Sequence, residues 1–443
     1  MPAKGKGPRQ GNRRRSPGPA VKAAKPKQAP PANKQHANRK VEVQKPEPEP
    51  VEEETSGPKL VSTIPRSLQQ LILDVFKTAL LGEPATEPEA ANPDDESQPT
   101  ETKDKEEPLD IKSLIQTIKG LLYQRDFDSA FTEANEDLLR AYALRWSSSR
   151  SLGYAGILKG VLSWMKEEEE ENTRGRTRSN NPTTRVVSIG GGAGAEIVAL
   201  AAVQRDLDTE AQSLEQRIAE VSLDEKEENK PEEETASARG LSVMAVDIGN
   251  WTSVVDRLSR TIFSANVPFT LTSKHRPPLL SKEASESFAV DFRRADVLNI
   301  PEEELKELLI GASSSSPFTS VLVPIMFTLN ELFSTSMPKT TAFMLRMTEI
   351  LPVGAVLLVV DSPGSYSTLK LGKGPDGEPQ ERNYPMKFLL DHTLLSVAKG
   401  KWERVYTEES RWWRRDAVRL RYEVGEGAGL EDMRFQMHVY RRL

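Results

Sequence analysis

The sequence predicts an α/β fold with one open, mostly parallel sheet of seven strands and a helical lead-in. Short apolar runs that suit buried strands alternate with longer stretches of helical periodicity. A glycine-rich turn follows the first of these runs, and two strand patterns come after the last helical stretch. The predicted strands cover residues 186–189, 241–248, 288–297, 319–327, 355–361, 402–413 and 434–441. An alternation of this kind places helices on both faces of a parallel sheet.

Composition indicates that much of the chain is solvated. Hydrophobic residues make up 37% of the 443 residues, and the mean hydropathy is −0.53. Both values are low for a wholly globular chain. We therefore predict a disordered tail over residues 1–63 that is basic at first and then acidic. Its basic part could contact RNA phosphates, support nuclear import or only keep the chain soluble.

Several kinds of site are excluded by what the sequence lacks. Cysteine is absent, which rules out disulfides, thiolate zinc sites and a cysteine nucleophile. His275, His392 and His438 show no metal-ligand spacing, so we expect no metal. No apolar run is long enough to span a membrane, and no apolar segment typical of a secretory signal begins the sequence. We expect a monomer without a membrane partner.

The helical lead-in is predicted over residues 64–165, with an acidic, proline-rich linker at 83–107. Near its end, Arg145, Trp146 and Arg150 combine cations with an aromatic ring. Such a mixture can hold an RNA strand by charge and stacking. More often it is a helix end that packs on its neighbour, and both interpretations stay open.

The glycine-rich turn lies at the start of the second predicted domain, residues 185–443, which carries an acidic insert at 208–239. A buried strand leads into Gly190–Gly194, and helical spacing begins at Ala195. Strand, glycine turn and helix are typical of a Rossmann-like nucleotide-binding domain. Glycine lets the backbone approach a ligand, and the helix N-terminus offers free N–H groups. The alternative is a tight turn without a ligand.

The turn fits two classes of ligand. Gly190, Gly192 and Ala195 match the dinucleotide pattern, whereas Gly190, Gly192 and Gly194 match the turn of S-adenosyl-L-methionine-dependent methyltransferases. Glu196 lies almost at the helix N-terminus, where it would repel a pyrophosphate. S-adenosyl-L-methionine has no phosphate and carries a sulfonium and an ammonium group. The sequence therefore favours this cofactor over a dinucleotide.

Two acidic residues end neighbouring predicted strands. Asp247 follows the second strand, where a carboxylate can bind ribose hydroxyls. Asp296 follows the third, where it can accept a hydrogen bond from the adenine amine. Either residue could instead cap the following helix.

A resemblance to a known family is carried by the segments SIGGGAGAE, VMAVDIGNW, FTLNELF, VVDSPGSYS and LEDMRFQMHVYRR. Together they resemble the fungal large-subunit ribosomal RNA methyltransferases that act on N3 of a uridine. The resemblance covers about residues 109–443, and the segments at 361–367 and 430–434 are the most particular to the group. It implies a class I methyltransferase fold, S-adenosyl-L-methionine as methyl donor and 25S rRNA, alone or in a pre-ribosomal particle, as substrate.

The same resemblance assigns roles to individual residues. The three glycines of the methyltransferase pattern would line the methionine part of the cofactor, Asp247 the ribose and Asp296 the adenine. Ser188 stands where many methyltransferases have an acid. Glu196 or a backbone carbonyl is therefore left to bind the cofactor's ammonium group.

The predicted chemistry is transfer to a ring nitrogen. Methylation of a pyrimidine at C5 usually requires a cysteine nucleophile, which this chain lacks. The segment after the fourth strand is best placed for the reaction. Thr328 is assigned to the cofactor, Asn330 could bond a carbonyl of the base, and Glu331 could accept the N3 proton. Glu331 could instead cap or pack a helix.

Aromatic and cationic residues are candidates for RNA binding. Phe333 or Tyr366 could stack on a base that leaves its helix, although Phe333 could equally join the core. Arg411 and Arg414 belong to a compact cationic and aromatic cluster.

We predict an rRNA methyltransferase of the nucleus or nucleolus, with a cytoplasmic fraction left open. The alternatives are a ribosome-assembly factor that keeps the fold without catalysis, and an NAD-dependent oxidoreductase.

Overall fold

The computed structural model describes residues 57–60, 63–82, 109–172, 182–222, 240–311, 318–364, 366–373 and 379–443. The predicted tail lies outside these residues except for 57–60 and 63. The predicted acidic linker at 83–107 and the part of the insert after residue 222 also lie outside them.

The strands are β1 (Thr183–Ile189), β2 (Gly240–Asp247), β3 (Phe288–Arg294), β4 (Ser320–Met326), β5 (Val356–Asp361), β6 (Tyr366–Lys373), β7 (Pro379–Pro385), β8 (Trp402–Trp413) and β9 (Met433–Arg442). Within the described residues, seven of them form one sheet in the order β3-β2-β1-β4-β5-β9-β8. Strands β1 to β5 pair in parallel, whereas β9 is antiparallel to both β5 and β8. The prediction of one seven-stranded, mostly parallel sheet is confirmed.

The central strands are continuous apolar runs because helices cover both faces of the sheet. Every residue of β5 is buried, and Val186, Val187 and Ile189 of β1 are at most 2% exposed. The chain leaves β1 towards β2 on one side and returns to β4 on the other. Such a reversal opens a crevice at the carboxyl ends of the strands, where ligands of open α/β sheets bind.

The helices are α1 (Arg66–Leu81), α2 (Ile111–Gln124), α3 (Glu136–Tyr142), α4 (Ser148–Asn172), α5 (Ala195–Ser222), α6 (Thr252–Ile262), α7 (Glu302–Ile310), α8 (Leu329–Ile350) and α9 (Met386–Asp391). A π-helical turn at Ala143–Ser147 joins α3 to α4, and another at His392–Val397 follows α9.

The lead-in helices share a hydrophobic core with the sheet. Helix α4 packs on α5, and α1 packs on α6. Apolar residues of α1 and α4, such as Leu68, Phe76 and Leu158, are fully buried in the same cluster as Val186 of β1. The described residues between 57 and 443 form one compact unit. The lead-in is therefore positioned to supply side chains to any site at the edge of the sheet.

Several boundaries differ from the predicted ones. Helix α4 continues to Asn172, and α5 continues to Ser222, beyond the predicted start of the acidic insert. Helical spacing predicts a helix over residues 336–350, whereas α8 begins at Leu329. Its backbone is non-helical at Ser336 (φ −160°, ψ 101°), two residues before Pro338. Proline has no N–H group and clashes with the preceding turn, which accounts for the kink.

Candidate functional site

The glycine turn between β1 and α5 is shaped by close packing. Gly190 has a φ of +78°, which favours glycine, and its N–H donates to the carbonyl of Val246 in β2 over 2.8 Å. A Cβ atom at Gly190 would lie 2.3 Å from Oγ1 of Thr328, the residue that precedes α8. The turn thus joins the carboxyl ends of β1, β2 and β4.

Asp247, the last residue of β2, is held against this turn. The N–H of Gly192 donates to its Oδ2 over 3.2 Å, and the N–H of Gly249 donates to its Oδ1 over 3.0 Å. Burial raises the pKa of Asp247, although these two bonds act in the opposite direction. The structure therefore brings Asp247 to the turn, where the sequence analysis placed a ribose ligand.

Glu196 lies in the first turn of α5 and is only 3% exposed. Burial raises the pKa of Glu196 to about 7, while the positive charge of Arg150 lowers it and the negative charge of Asp247 raises it. A cationic group bound beside Glu196 would favour its charged form.

Ser188 carries a buried polar atom without a partner. Its hydroxyl has no hydrogen bond within the described residues, and the side chain is fully buried. A Cβ atom at the neighbouring Gly191 would lie 2.3 Å from Ser188 Oγ. The hydroxyl thus lies directly under the turn, at the position where many methyltransferases have an acid.

The end of β4 supplies a second group of polar residues. Thr328 donates its hydroxyl to the carbonyl of Met326 over 3.2 Å, and the N–H of Asn330 donates to Asp361 Oδ2 over 3.1 Å. Asn330 Oδ1 is buried and has no partner among the described residues. Glu331 is half-buried, and no described residue forms a hydrogen bond or ion pair with its carboxylate. These side chains could act on a substrate at the same edge.

Asp361 is a residue that the sequence analysis did not assign to the site. It ends β5, is 4% exposed and also accepts a hydrogen bond from the N–H of Ser362 over 2.7 Å. Its signal is the acidic end of the apolar run VVD. By holding the N–H of Asn330, Asp361 fixes the first turn of α8.

Arg150 on α4 faces the end of β4. Its Nη1 donates to the hydroxyl of Tyr142 over 3.0 Å, and its Cζ lies 5.0 Å from the ring centroid of Phe327. Tyr154 stacks on the same ring at 6.2 Å. Arg150 and Phe327 border a cleft of about 240 Å³, which is also lined by Trp146, Ser149, Glu431, Asp432, Met433 and Arg434.

Other candidates take structural positions. Arg145 is 7% exposed, and its guanidinium bonds to the carbonyl of Gly429 over 2.8 Å and to Glu431. Asp296 accepts hydrogen bonds from the N–H of Leu298 over 2.9 Å and from the amide of Asn299. Arg145 thus anchors a loop. Asp296 caps a turn, and its contact with the adenine stays a prediction.

Two aromatic candidates for stacking have opposite environments. Phe333 is 2% exposed and belongs to a hydrophobic cluster with Leu329. Tyr366 is 56% exposed at the start of β6. Only Tyr366 is accessible to a base in this conformation.

An exposed aromatic ring surrounded by cations lies on the edge strand β8. Trp412 is 48% exposed, with Arg414 Cζ 4.0 Å and Arg434 Cζ 5.8 Å from its ring centroid. Arg411 lies on the same strand, beside a cleft of about 750 Å³ that Trp412 and Arg414 also line. Arg434 additionally lines the smaller cleft at Arg150, so the two surfaces are contiguous.

The described residues contain neither a membrane-spanning helix nor a cluster of metal ligands. No helix there combines the length and the apolar character that a membrane span requires. Likewise, three or more His, Cys, Asp or Glu side chains suited to a metal ion nowhere come together in that part of the chain.

Comparison with known proteins gives several matches. The chain is 29% identical over 387 residues to the 25S rRNA (uridine(2843)-N(3))-methyltransferase of Saccharomyces cerevisiae, covering 86% of each protein. A SAM-dependent methyltransferase of Methanosarcina mazei is 12% identical, with 60% of this chain and 94% of that chain covered and a TM-score of 0.27. An N-methyltransferase of Bradyrhizobium japonicum is 9% identical, with 74% and 98% covered and a TM-score of 0.26. Similarity of the latter kind does not identify a shared activity.

A match to a family model defines the family. The model of a SAM-dependent methyltransferase family, where SAM is S-adenosyl-L-methionine, matches residues 96–441, well over half of the chain. The glycine turn, Asp247 and the strand order agree with this match. The protein belongs to the SAM-dependent methyltransferase family, and its cofactor is S-adenosyl-L-methionine.

Proposed function

We propose that the protein methylates N3 of a uridine in large-subunit ribosomal RNA. The relative from S. cerevisiae, which is named for this activity, is similar over 86% of the chain. The structural observation that supports the proposal is the buried, unpartnered Oδ1 of Asn330. Uracil presents an N3–H donor between two carbonyl acceptors. Asn330 Oδ1 can accept a hydrogen bond from N3–H until that proton passes to Glu331, and the amide N–H groups of Asn330 can donate to a neighbouring carbonyl.

The residues around the glycine turn fit the cofactor. The Asp247 carboxylate can accept hydrogen bonds from the ribose hydroxyls, and Glu196 can bind the ammonium group. The unpartnered hydroxyl of Ser188 offers a further polar contact beneath the turn. When bound, the cofactor supplies a methyl carbon on a positively charged sulfur.

In this proposal, residues of the first turn of α8 bind the uracil and accept its proton. Asn330 holds the base edge, with its backbone fixed by Asp361. Glu331 accepts the N3 proton, directly or through one water, so that the nitrogen can attack. Thr328 packs against Gly190 and keeps this turn next to the cofactor.

RNA reaches the site along the surface of β8 and β9. Trp412 offers a ring for stacking, and Arg411, Arg414 and Arg434 offer charge to the phosphates. Trp146 and Tyr366 lie on the approach in this proposal. Arg145 is left out because Gly429 and Glu431 already occupy its guanidinium.

The first alternative, an NAD-dependent oxidoreductase, is wrong because the chain belongs to the SAM-dependent methyltransferase family. An experiment distinguishes the second alternative, a non-catalytic assembly factor, from a methyltransferase. We expect the protein to act as a monomer where ribosomal RNA matures, in the nucleus or nucleolus, and fractionation with size measurement checks both points.

Nucleoside mass spectrometry tests the proposed function. Purified protein, labelled S-adenosyl-L-methionine and unmodified 25S rRNA should give labelled 3-methyluridine, and cells lacking the protein should lose that nucleoside from 25S rRNA. Tight cofactor binding without transfer to any RNA or pre-ribosomal particle would favour the assembly factor.

A further inference from the structure

Arg150 is a half-buried cation without an acidic partner among the described residues. Burying a charge is costly unless a counter-charge or hydrogen bonds compensate for the lost water. Among the described residues, no carboxylate lies within 4.0 Å of the Arg150 guanidinium, and its one hydrogen bond goes to the hydroxyl of Tyr142. Although burial lowers the pKa of Arg150, the nearby Tyr142, Tyr154 and Glu196 raise it overall, so the residue remains charged.

Neighbouring arginines show what a purely structural role looks like in this fold. Arg140 donates to the carbonyl of Leu80 and to Asp137, and Arg145 donates to Gly429 and Glu431. Arg150 instead has one of the five donor groups of a guanidinium engaged. Its other N–H groups have no acceptor among the described residues, and the residue lines a cleft.

The cleft has the size and walls expected for a single nucleobase. Its volume of about 240 Å³ is below the roughly 300–1,000 Å³ of sites for drug-sized ligands. Trp146 and Phe327 supply flat apolar surfaces, and Arg150 supplies charge. Phe327 directly precedes Thr328, so the floor of the cleft adjoins the turn that carries Asn330 and Glu331.

We propose that Arg150 binds a carbonyl oxygen of the target uracil and stabilises the negative charge that develops when N3 loses its proton. This inference rests on the proposed function. The N3–H bond breaks, its proton goes to Glu331, and its electron pair spreads over N3 and both carbonyl oxygens. N3 then bonds to the methyl carbon, while the electron pair of the broken carbon–sulfur bond stays on sulfur.

The contacts of Arg150 suit this role. The bond to Tyr142 and the contact with Phe327 fix the guanidinium before the substrate arrives. A fixed cation in a site that excludes water stabilises developing charge more strongly than a solvated one. Glu196 is near enough to attract Arg150 but forms no ion pair with it, so the cation is not neutralised.

Single-turnover methylation of an rRNA fragment across a range of pH tests the proposal. At neutral pH, Arg150→Gln should slow the reaction by roughly 100- to 1,000-fold, the usual loss when one charge-stabilising donor is removed. The pH at which the rate reaches half of its maximum should rise. Arg150→Lys should recover part of the rate. The affinity for adenosylhomocysteine should stay at the wild-type value in both variants when it is measured at a pH well above 7, where Glu196 is charged with or without Arg150.

RNA with 5-fluorouridine at the target position gives the decisive comparison. Fluorine makes N3 more acidic, so this substrate should restore much of the rate of Arg150→Gln. Arg276→Gln is the matched control, because it removes another guanidinium that lies over an aromatic ring, Phe269, outside the cleft. It should behave as wild type. If Arg150→Gln fails to fold, Arg150→Lys carries the same comparison.

Two results would overturn the role of Arg150. Equal losses with uridine and 5-fluorouridine would mean that the residue only shapes the cleft, and loss of adenosylhomocysteine binding would assign it to the cofactor. If wild-type protein forms no 3-methyluridine, the proposed function itself fails, and this inference fails with it.

Discussion

The N–H of Gly192 lies 3.2 Å from Oδ2 of Asp247, and the two residues join the glycine turn to the end of the second strand. This contact holds the carboxylate at the turn. The roles proposed for Asp247 and for the neighbouring residues can each be tested by a single substitution.

Asp247→Asn should weaken the binding of adenosylhomocysteine by about tenfold to a hundredfold, since hydrogen bonds to a charged group contribute roughly 1.5–3 kcal/mol. Isothermal titration calorimetry measures the change. Asp296→Asn should weaken binding as well if Asp296 accepts the hydrogen bond from the adenine amine that the sequence predicts. An unchanged affinity in Asp247→Asn would remove that carboxylate from the cofactor site.

Gly192→Ala should destabilise the protein by about 1–3 kcal/mol, because the added Cβ would lie 2.3 Å from Trp251 and 2.8 Å from Asp247 Cβ. Urea unfolding gives the free energy. Gly120→Ala is the control, since a Cβ at this position in α2 meets no atom within 4 Å. Similar unfolding midpoints for the two variants would show that the glycine turn accommodates a Cβ atom at position 192 without strain.

The cofactor-free protein should lose stability as the pH rises from about 4.5 to about 7. Burial raises the pKa of Glu196 to about 7 from its ordinary 4.5, so the folded state binds more protons than the unfolded state in this window. The loss is on the order of 3 kcal/mol. Glu196→Gln should flatten this dependence in unfolding experiments at a series of pH values.

The raised pKa of Glu196 also predicts how cofactor binding depends on pH. If Glu196 binds the ammonium group, the affinity for adenosylhomocysteine should rise as the pH increases through about 7, because the charged form becomes populated. Calorimetry at a series of pH values should show a weaker dependence in Glu196→Gln. An identical dependence in both proteins would assign the ammonium group to another partner.

Glu331→Gln should lower the single-turnover rate by roughly 100- to 10,000-fold, the range of a lost general base, while both substrates still bind. Glu349→Gln is a matched control because Glu349 lies on the same helix with its carboxylate 3.4 Å from Lys401 Nζ. A full rate in Glu331→Gln would leave the proton to water or to another group.

Trp412→Ala should weaken RNA binding by roughly 1–3 kcal/mol without affecting adenosylhomocysteine, because one stacking surface is lost. Arg434→Gln should reduce the slope of the salt dependence by about one. Fluorescence anisotropy with an rRNA fragment measures both effects. Tyr123→Ala, which removes a ring that is 92% exposed on α2, should leave RNA affinity unchanged.

Local sequence was sufficient for the main sheet because its central strands are apolar runs with both faces covered. It was not sufficient for the hairpin of β6 and β7, whose strands, YSTLKLGK and PQERNYP, are mostly polar. The two strands are held together by their mutual pairing rather than by burial in the core. Neither segment alone therefore carries a hydrophobic pattern that predicts a strand.

The candidate site divides in the same way. Asp247 and the glycines were predictable because strand ends and turns are local features. Arg145 and Arg150 are five residues apart in the same segment of the sequence. Nevertheless, Arg145 anchors a loop, whereas Arg150 faces a cleft. The difference arises because the loop at residues 429–431 reaches Arg145 from the far end of the chain.

Strand β9 lies inside the sheet, between β5 and β8, and is synthesised after every other element described here. During translation, β5 and β8 therefore lack their common neighbour until the ribosome has released this segment. Met433 and Arg434, which line the small cleft, also arrive last. A nascent chain that has already built the glycine turn should consequently remain unable to process RNA, and a premature stop before β9 should abolish activity even where the cofactor half is complete.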